Sequence, residues 1–142
     1  MAAKHKFSRS CIQITTSLSA DRVAEITKEV GDSTKGGGFA EPGHVRFEGA
    51  SAGRTNFSIR GPRDLMEFMT FHVSITDVDS GAEVSTHIDS FKTKQDKYML
   101  IPVGPKKMLA YKTYRLFMEN LKAAVDAVDA KSRAVLTERA VA

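Results

Sequence analysis

Hydrophobic and polar positions change period along this chain, and each change marks an element boundary. Phe7 to Thr15 reads as a first strand, ending in the alternating Ile12-Gln13-Ile14. Ser17-Leu18-Ser19-Ala20-Asp21 then offers capping hydroxyls and an acid for a first helical turn. Val23, Ile26 and Val30 follow at helical spacing, so Ala20 to Val30 reads as a short amphipathic helix. Gly31-Asp32 is expected to close it, and the stretch through Gly36-Gly37-Gly38 to Pro42-Gly43 reads as loop, or loop plus a short turn of helix. From His44 the period is two again. Val45 and Phe47 alternate with Arg46 and Glu48, Phe57 and Ile59 alternate with Asn56, Ser58 and Arg60, and Ala50-Ser51-Ala52-Gly53 joins the two runs as a hairpin. Gly61-Pro62 breaks the run, because proline cannot donate to a ladder. A long strand follows over Met66 to Thr76, with Met69, Phe71, Val73 and Ile75 on one face. After a turn at Asp77 to Gly81 another strand begins with Val84, Thr86 and Ile88, and a last one lies around Tyr98 to Val103.

The final element is expected to be a long helix from Pro105 to Asp129, with Gly104-Pro105 as its start. Ala110, Tyr114, Phe117, Leu121, Ala124 and Val128 recur at spacings of four and three. The opposite face carries Lys112, Arg115, Glu119, Lys122, Asp126, Asp129 and Arg133. An apolar stripe against a charged back is the pattern of a helix lying on a core. The stripe is richer in Ala and Tyr than in Leu and Ile, which favours packing on a sheet over a coiled-coil seam. Phe117 and Leu121, at its centre, should be buried. Strand, helix, a run of antiparallel strands and a long helix add up to an α+β domain. It is expected to occupy residues 1–130, with 131–142 as a tail of frayed helix or disorder.

The turn before Val84 carries an expected register. Ser80-Gly81 at the centre of a two-residue turn would place Val73 opposite Ile88 and His72 opposite Asp89, and a glycine there suits the positive φ of such turns. A turn centred on Asp79-Ser80 would instead put His72 opposite His87.

Composition narrows the class. With 142 residues, 42% hydrophobic and 27% charged, the chain suits one globular domain, and no apolar run approaches the roughly 20 residues of a membrane span. The basic start Met1 to Phe7 has no apolar stretch behind it, and the single cysteine, Cys11, excludes an intrachain disulfide, so the cytoplasm is the expected address. The net charge of +4 gathers between Lys92 and Arg115, where Lys92, Lys94, Lys97, Lys106, Lys107, Lys112 and Arg115 are opposed only by Asp96. A basic zone can face nucleic acid, an anionic membrane surface or an acidic ligand, or be a solvated rim. Phe47, Phe57 and Phe71 alternate away from the charged residues, so stacking platforms for nucleic acid are not expected.

No catalytic motif emerges. Lys35 precedes Gly36-Gly37-Gly38 and a helix comes before them, the reverse of a phosphate-binding loop. The glycines better suit a lid. Of His5, His44, His72 and His87 no pair has metal-ligand spacing, so no metal or cofactor is expected. His72 and His87 lie on the polar faces of neighbouring strands and read as a structural or solvent-facing pair. Cys11, with Arg9 nearby, lacks the setting of a nucleophile. Met66, Met69, Met99, Met108 and Met118, with the phenylalanines, make a soft apolar inventory that adapts to irregular ligands or fills a plain core.

Two stretches carry a resemblance. Tyr98 to Leu121, with Pro102-Val103-Gly104-Pro105-Lys106 near its start, and Arg63 to Val73 resemble the last strand, closing helix and central strand of small bacterial members of the START-related SRPBCC superfamily. The resemblance implies a helix-grip fold, a curved antiparallel sheet wrapped around the C-terminal helix, with a cavity for lipids, sterols, hormones or polyketides. Neither stretch is catalytic, and no cyclase signature carries over. On this basis Val45, Phe47, Phe57, Ile59, Phe71, Val73, Ile88, Tyr114, Phe117 and Leu121 are expected to line a cavity for a small hydrophobic ligand, with Tyr114 as polar anchor. A monomer or weak dimer that binds rather than catalyses is expected. The alternatives are an aromatase or cyclase using Tyr114, His72 or Asp89 inside the cavity, and a protein-interaction subunit.

Overall fold

The computed structural model describes residues 7–34, 43–51, 53–61 and 66–138, the side chains of 94–96 and 103–107 excepted. The elements are β1 (Cys11–Thr16), α1 (Ala20–Ser33), β2 (His44–Ser51), β3 (Arg54–Arg60), β4 (Glu67–Val78), β5 (Gly81–Phe91), β6 (Thr93–Tyr98), β7 (Ile101–Met108), α2 (Tyr111–Val128) and β8 (Arg133–Thr137). Six strands form one sheet in the order β2-β3-β4-β5-β1-β8, all neighbours antiparallel, and β6 and β7 pair as a separate two-stranded ribbon. The chain is α+β, as the pattern predicts.

Period-two alternation sends Ile12, Ile14, Val45, Phe57, Ile59, Met69, Phe71, Val73, Ile75 and Val84 to one buried face, and both helices lie on it. Ser19 caps α1, its hydroxyl accepting from the Arg22 N–H at 3.2 Å, with Asp21 in the first turn. The helix runs through Gly31 to Ser33 instead of stopping there. Gly31 is a packing residue, because a Cβ at that position would come within 2.5 Å of the Phe57 ring.

Four expectations are corrected. Tyr98 to Val103 is not one strand, since the chain reverses at Met99-Leu100, which hold φ of 51° and 71° without glycine or asparagine to announce a turn. The long helix starts at Tyr111, and Gly104-Pro105 belong to β7. There the ribbon register shifts between Lys94 and Asp96, so Pro105 falls where a missing N–H costs no ladder bond. Residues 133–137, expected as frayed tail, form β8 and pair with β1 from Cys11↔Thr137 to Thr15↔Arg133. The β4–β5 turn centres on Asp79-Ser80, with His72 opposite His87 and Val73 opposite Thr86. Gly81 does take a positive φ, 147°, but as the first paired residue of β5, where a Cβ would lie 2.0 Å from the Thr16 carbonyl oxygen. Close approach to β1 fixes that glycine, not the turn centre.

Candidate functional site

Phe117 and Leu121 are fully buried, as the stripe predicts, but α2 is rotated from the expected stripe. Its buried residues are Tyr111, Thr113, Tyr114, Phe117, Met118, Leu121 and Val125, while Val128 is half exposed. The ten residues expected around a cavity all lie at the sheet–helix interface, eight buried in the core and Phe47 and Ile88 partly buried against it. Their centre is occupied by side chains. Phe71 meets Phe57, Phe117 and Tyr114 with ring centroids 5.3, 4.9 and 5.1 Å apart, and Phe57 meets Phe117 at 5.2 Å. These are contact separations for aromatic pairs. Phe47 reaches the cluster edge-on through Phe57 at 6.1 Å, and the Lys28 ammonium covers its outer side. Half-buried apolar side chains gather where β4 begins and β5 ends: Phe68, Ile88 and Phe91.

Two hydroxyls on α2 have opposite situations. The Tyr114 hydroxyl donates to the Ser10 carbonyl oxygen at 2.7 Å and so accepts from the Thr86 hydroxyl at 2.9 Å, whose oxygen in turn accepts from the Ile12 N–H at 3.0 Å. Burial pushes the Tyr114 pKa well above a phenol's ordinary value, so the ring stays neutral and fully partnered. Tyr114 ties α2 to β5 and to Ser10, the residue before β1. Tyr114→Phe keeps the ring but strands the buried Thr86 donor and Ser10 acceptor, and should cost about 1–3 kcal/mol in urea unfolding. By contrast, Thr113 is 1% exposed and its hydroxyl is a buried oxygen without a hydrogen-bond partner among the described residues. It faces Gly43 near Ile59, at the same end of the sheet as the half-buried Phe68, Ile88 and Phe91. The expected apolar stripe leaves this residue out. Its signal was the spacing: Thr113 stands four residues before Phe117, on the buried side.

The outer face of the sheet is polar. His72 Nδ1 lies 2.9 Å from Asp89 Oδ1, the Arg54 guanidinium 3.4 Å from Asp89 Oδ2, and the His72 and His87 rings are 5.0 Å apart. The expected His72–Asp89 pair therefore forms, but diagonally, across a register shift between Thr70 and Phe71. Burial first, and His72 second, lower the His87 pKa. His72 and Asp89 face away from both helices and cannot serve chemistry between sheet and helix. Cys11 is half-buried, and burial raises its thiol pKa, which disfavours the thiolate. Among the described residues no three His, Cys, Asp or Glu side chains are grouped to hold a metal ion. Lys35 and Gly36-Gly37-Gly38 lie outside the described residues.

Asp129, expected on the exposed back of the helix, is buried at its end. Its carboxylate accepts from the Thr16 hydroxyl at 2.7 Å, the Ser17 N–H at 2.8 Å, the Ser17 hydroxyl at 3.0 Å and the Lys131 N–H at 3.1 Å. The Ser17 N–H first, then Thr16, hold its pKa down to about 2, from an ordinary 3.8. A depressed carboxylate contributes stability that is complete above its ordinary pKa and fades as pH falls through the folded value. Asp129→Asn should be less stable at neutral pH and lose less stability than the parent between about pH 4 and 2, by urea midpoints across that window.

No helix among the described residues is long and apolar enough to cross a membrane. No family model, curated protein or solved structure matches the chain.

Proposed function

We propose that this chain is a helix-grip domain related to the START-type SRPBCC superfamily, and that it binds a small amphipathic ligand between α2 and the sheet. The observation that carries the reading is the buried hydroxyl of Thr113, which has no hydrogen-bond partner among the described residues. A buried hydroxyl without a partner costs free energy, and a ligand carrying a polar group at the Phe68–Ile88–Phe91 end would supply what it lacks. The half-buried Phe47 and Ile88, both among the residues the resemblance implies, would line its apolar part. The centre of the interface is filled by Phe57, Phe71, Phe117 and Tyr114. The proposed ligand position is therefore the Phe68–Phe91 end of the interface, not its middle. Binding rather than catalysis is favoured, because Tyr114 is committed to protein partners and His72 and Asp89 stand on the other face.

Titration with a dansylated long-chain fatty acid tests this. One saturable site is expected, weakened about tenfold in Thr113→Val by the loss of one hydrogen bond. The same variant should match or exceed the parent in melting temperature, since it removes an orphaned hydroxyl. Absence of saturable binding, together with a bare protein mass in native mass spectrometry, would sink the reading.

A further inference from the structure

The β6–β7 ribbon stands outside the six-stranded sheet and ends in four consecutive apolar residues. Tyr98, Met99, Leu100 and Ile101 are 69%, 79%, 88% and 64% exposed, the highest values among the exposed large hydrophobic residues described. Met99 and Leu100 also hold left-handed φ angles of 51° and 71°, which turn residues such as Asn-Gly adopt at far lower cost. The tip therefore gives up both burial and backbone ease. Its base is fixed, because the Lys92 N–H donates to Phe68 O at 3.0 Å and the Leu109 N–H to Lys92 O at 2.8 Å. The ribbon is a tethered arm that presents its tip outward.

Charge says what the tip meets. Residues 92–108 contain five lysines, Lys92, Lys94, Lys97, Lys106 and Lys107, against Asp96. Their excess equals the whole net charge of +4, so the rest of the chain is neutral. Lys92 and Lys97 are exposed, and Lys94 and Lys107 are opposed in the ribbon register. Protein interfaces are depleted in lysine relative to the rest of the surface. A bilayer boundary wants this combination: an apolar wedge for the acyl edge, a tyrosine at headgroup depth and mobile cations for anionic headgroups. We propose that the β6–β7 tip docks the protein on an anionic lipid surface, with Met99 and Leu100 inserted and the lysines on the headgroups. This docking is independent of the proposed interior ligand, and the two assays can fail separately.

Sedimentation with vesicles is the test. The parent chain should bind vesicles of phosphatidylcholine mixed with phosphatidylglycerol, should ignore phosphatidylcholine alone, and should be released by high salt. Met99→Asn with Leu100→Gly supplies the residues that the turn geometry favours. This double variant should melt no lower than the parent and lose vesicle binding, which separates docking from folding. Lys92→Gln with Lys97→Gln should weaken binding about thirtyfold. Tyr98→Trp places the chain's only tryptophan at the tip, where its emission should shift to the blue on the mixed vesicles. The proposal falls if the parent does not bind anionic vesicles, or if the Asn-Gly variant binds as well as the parent. It also falls if the tip instead drives a dimer that this variant abolishes and vesicles leave unchanged.

Discussion

Phe117→Ala is expected to cost about 3–5 kcal/mol of unfolding free energy, the range for truncating a packed core phenylalanine. The ring is 0% exposed and lies between Phe57 and Phe71, so its removal takes away dispersion contacts as well as transfer free energy. Neighbouring rings cannot close the gap cheaply. Phe57 is held against the backbone at Gly31, and Phe71 packs on Tyr114, whose hydroxyl is fixed at both ends. Urea unfolding should show the midpoint falling with an unchanged slope. Lys122→Ala, one turn along α2 on the exposed face, removes only a surface pair with Asp126 and should change stability by no more than about 0.5 kcal/mol. A loss below about 1 kcal/mol in Phe117→Ala would mean that the ring already borders open space. The ligand site would then have to move to the middle of the interface.

That both substitutions could be chosen from residue spacing shows where the sequence was informative. Period-two runs in β2 to β5 and the 3-4 recurrence around Phe117 and Leu121 report burial on one face, and burial is what those patterns encode. The failures share another cause. Met99-Leu100 turn, Pro105 sits in a strand and β8 follows α2, and in each case local residue preference points elsewhere while strand pairing decides, within a hairpin for the first two and across the chain for β8. Gly81 was legible as a glycine that had to be glycine, but the atom that requires it, the Thr16 carbonyl oxygen, is 65 positions away in the sequence. For the candidate site the pattern found the apolar lining and missed Thr113, because a buried polar residue is invisible to a hydrophobic count. It also took Asp129 for surface, although its four hydrogen bonds come from Thr16, Ser17 and Lys131.

Gly81→Ala should be comparably damaging, by about 2–5 kcal/mol, from two causes that a control can separate. The φ of 147° is unfavourable for an L side chain, and the added Cβ would stand 2.0 Å from Thr16 O and 2.6 Å from Ser17 Cα. Both obstacles are backbone atoms, so no rotamer change relieves them and β1 must move away from β5. Gly49 has nearly the same φ, 142°, but open space around its Cβ position, so Gly49→Ala reports the conformational cost alone. Gly81→Ala should exceed it clearly in urea unfolding, and equal losses would refute the close approach. The displacement has a second readout. The atoms it pushes belong to Thr16 and Ser17, the residues that donate to Asp129 and hold α2 to the end of β1. Gly81→Ala should therefore flatten the fall in stability between about pH 4 and 2, as Asp129→Asn does. Combined, the two substitutions should cost less than the sum of their separate losses, because the first has already loosened what the second removes.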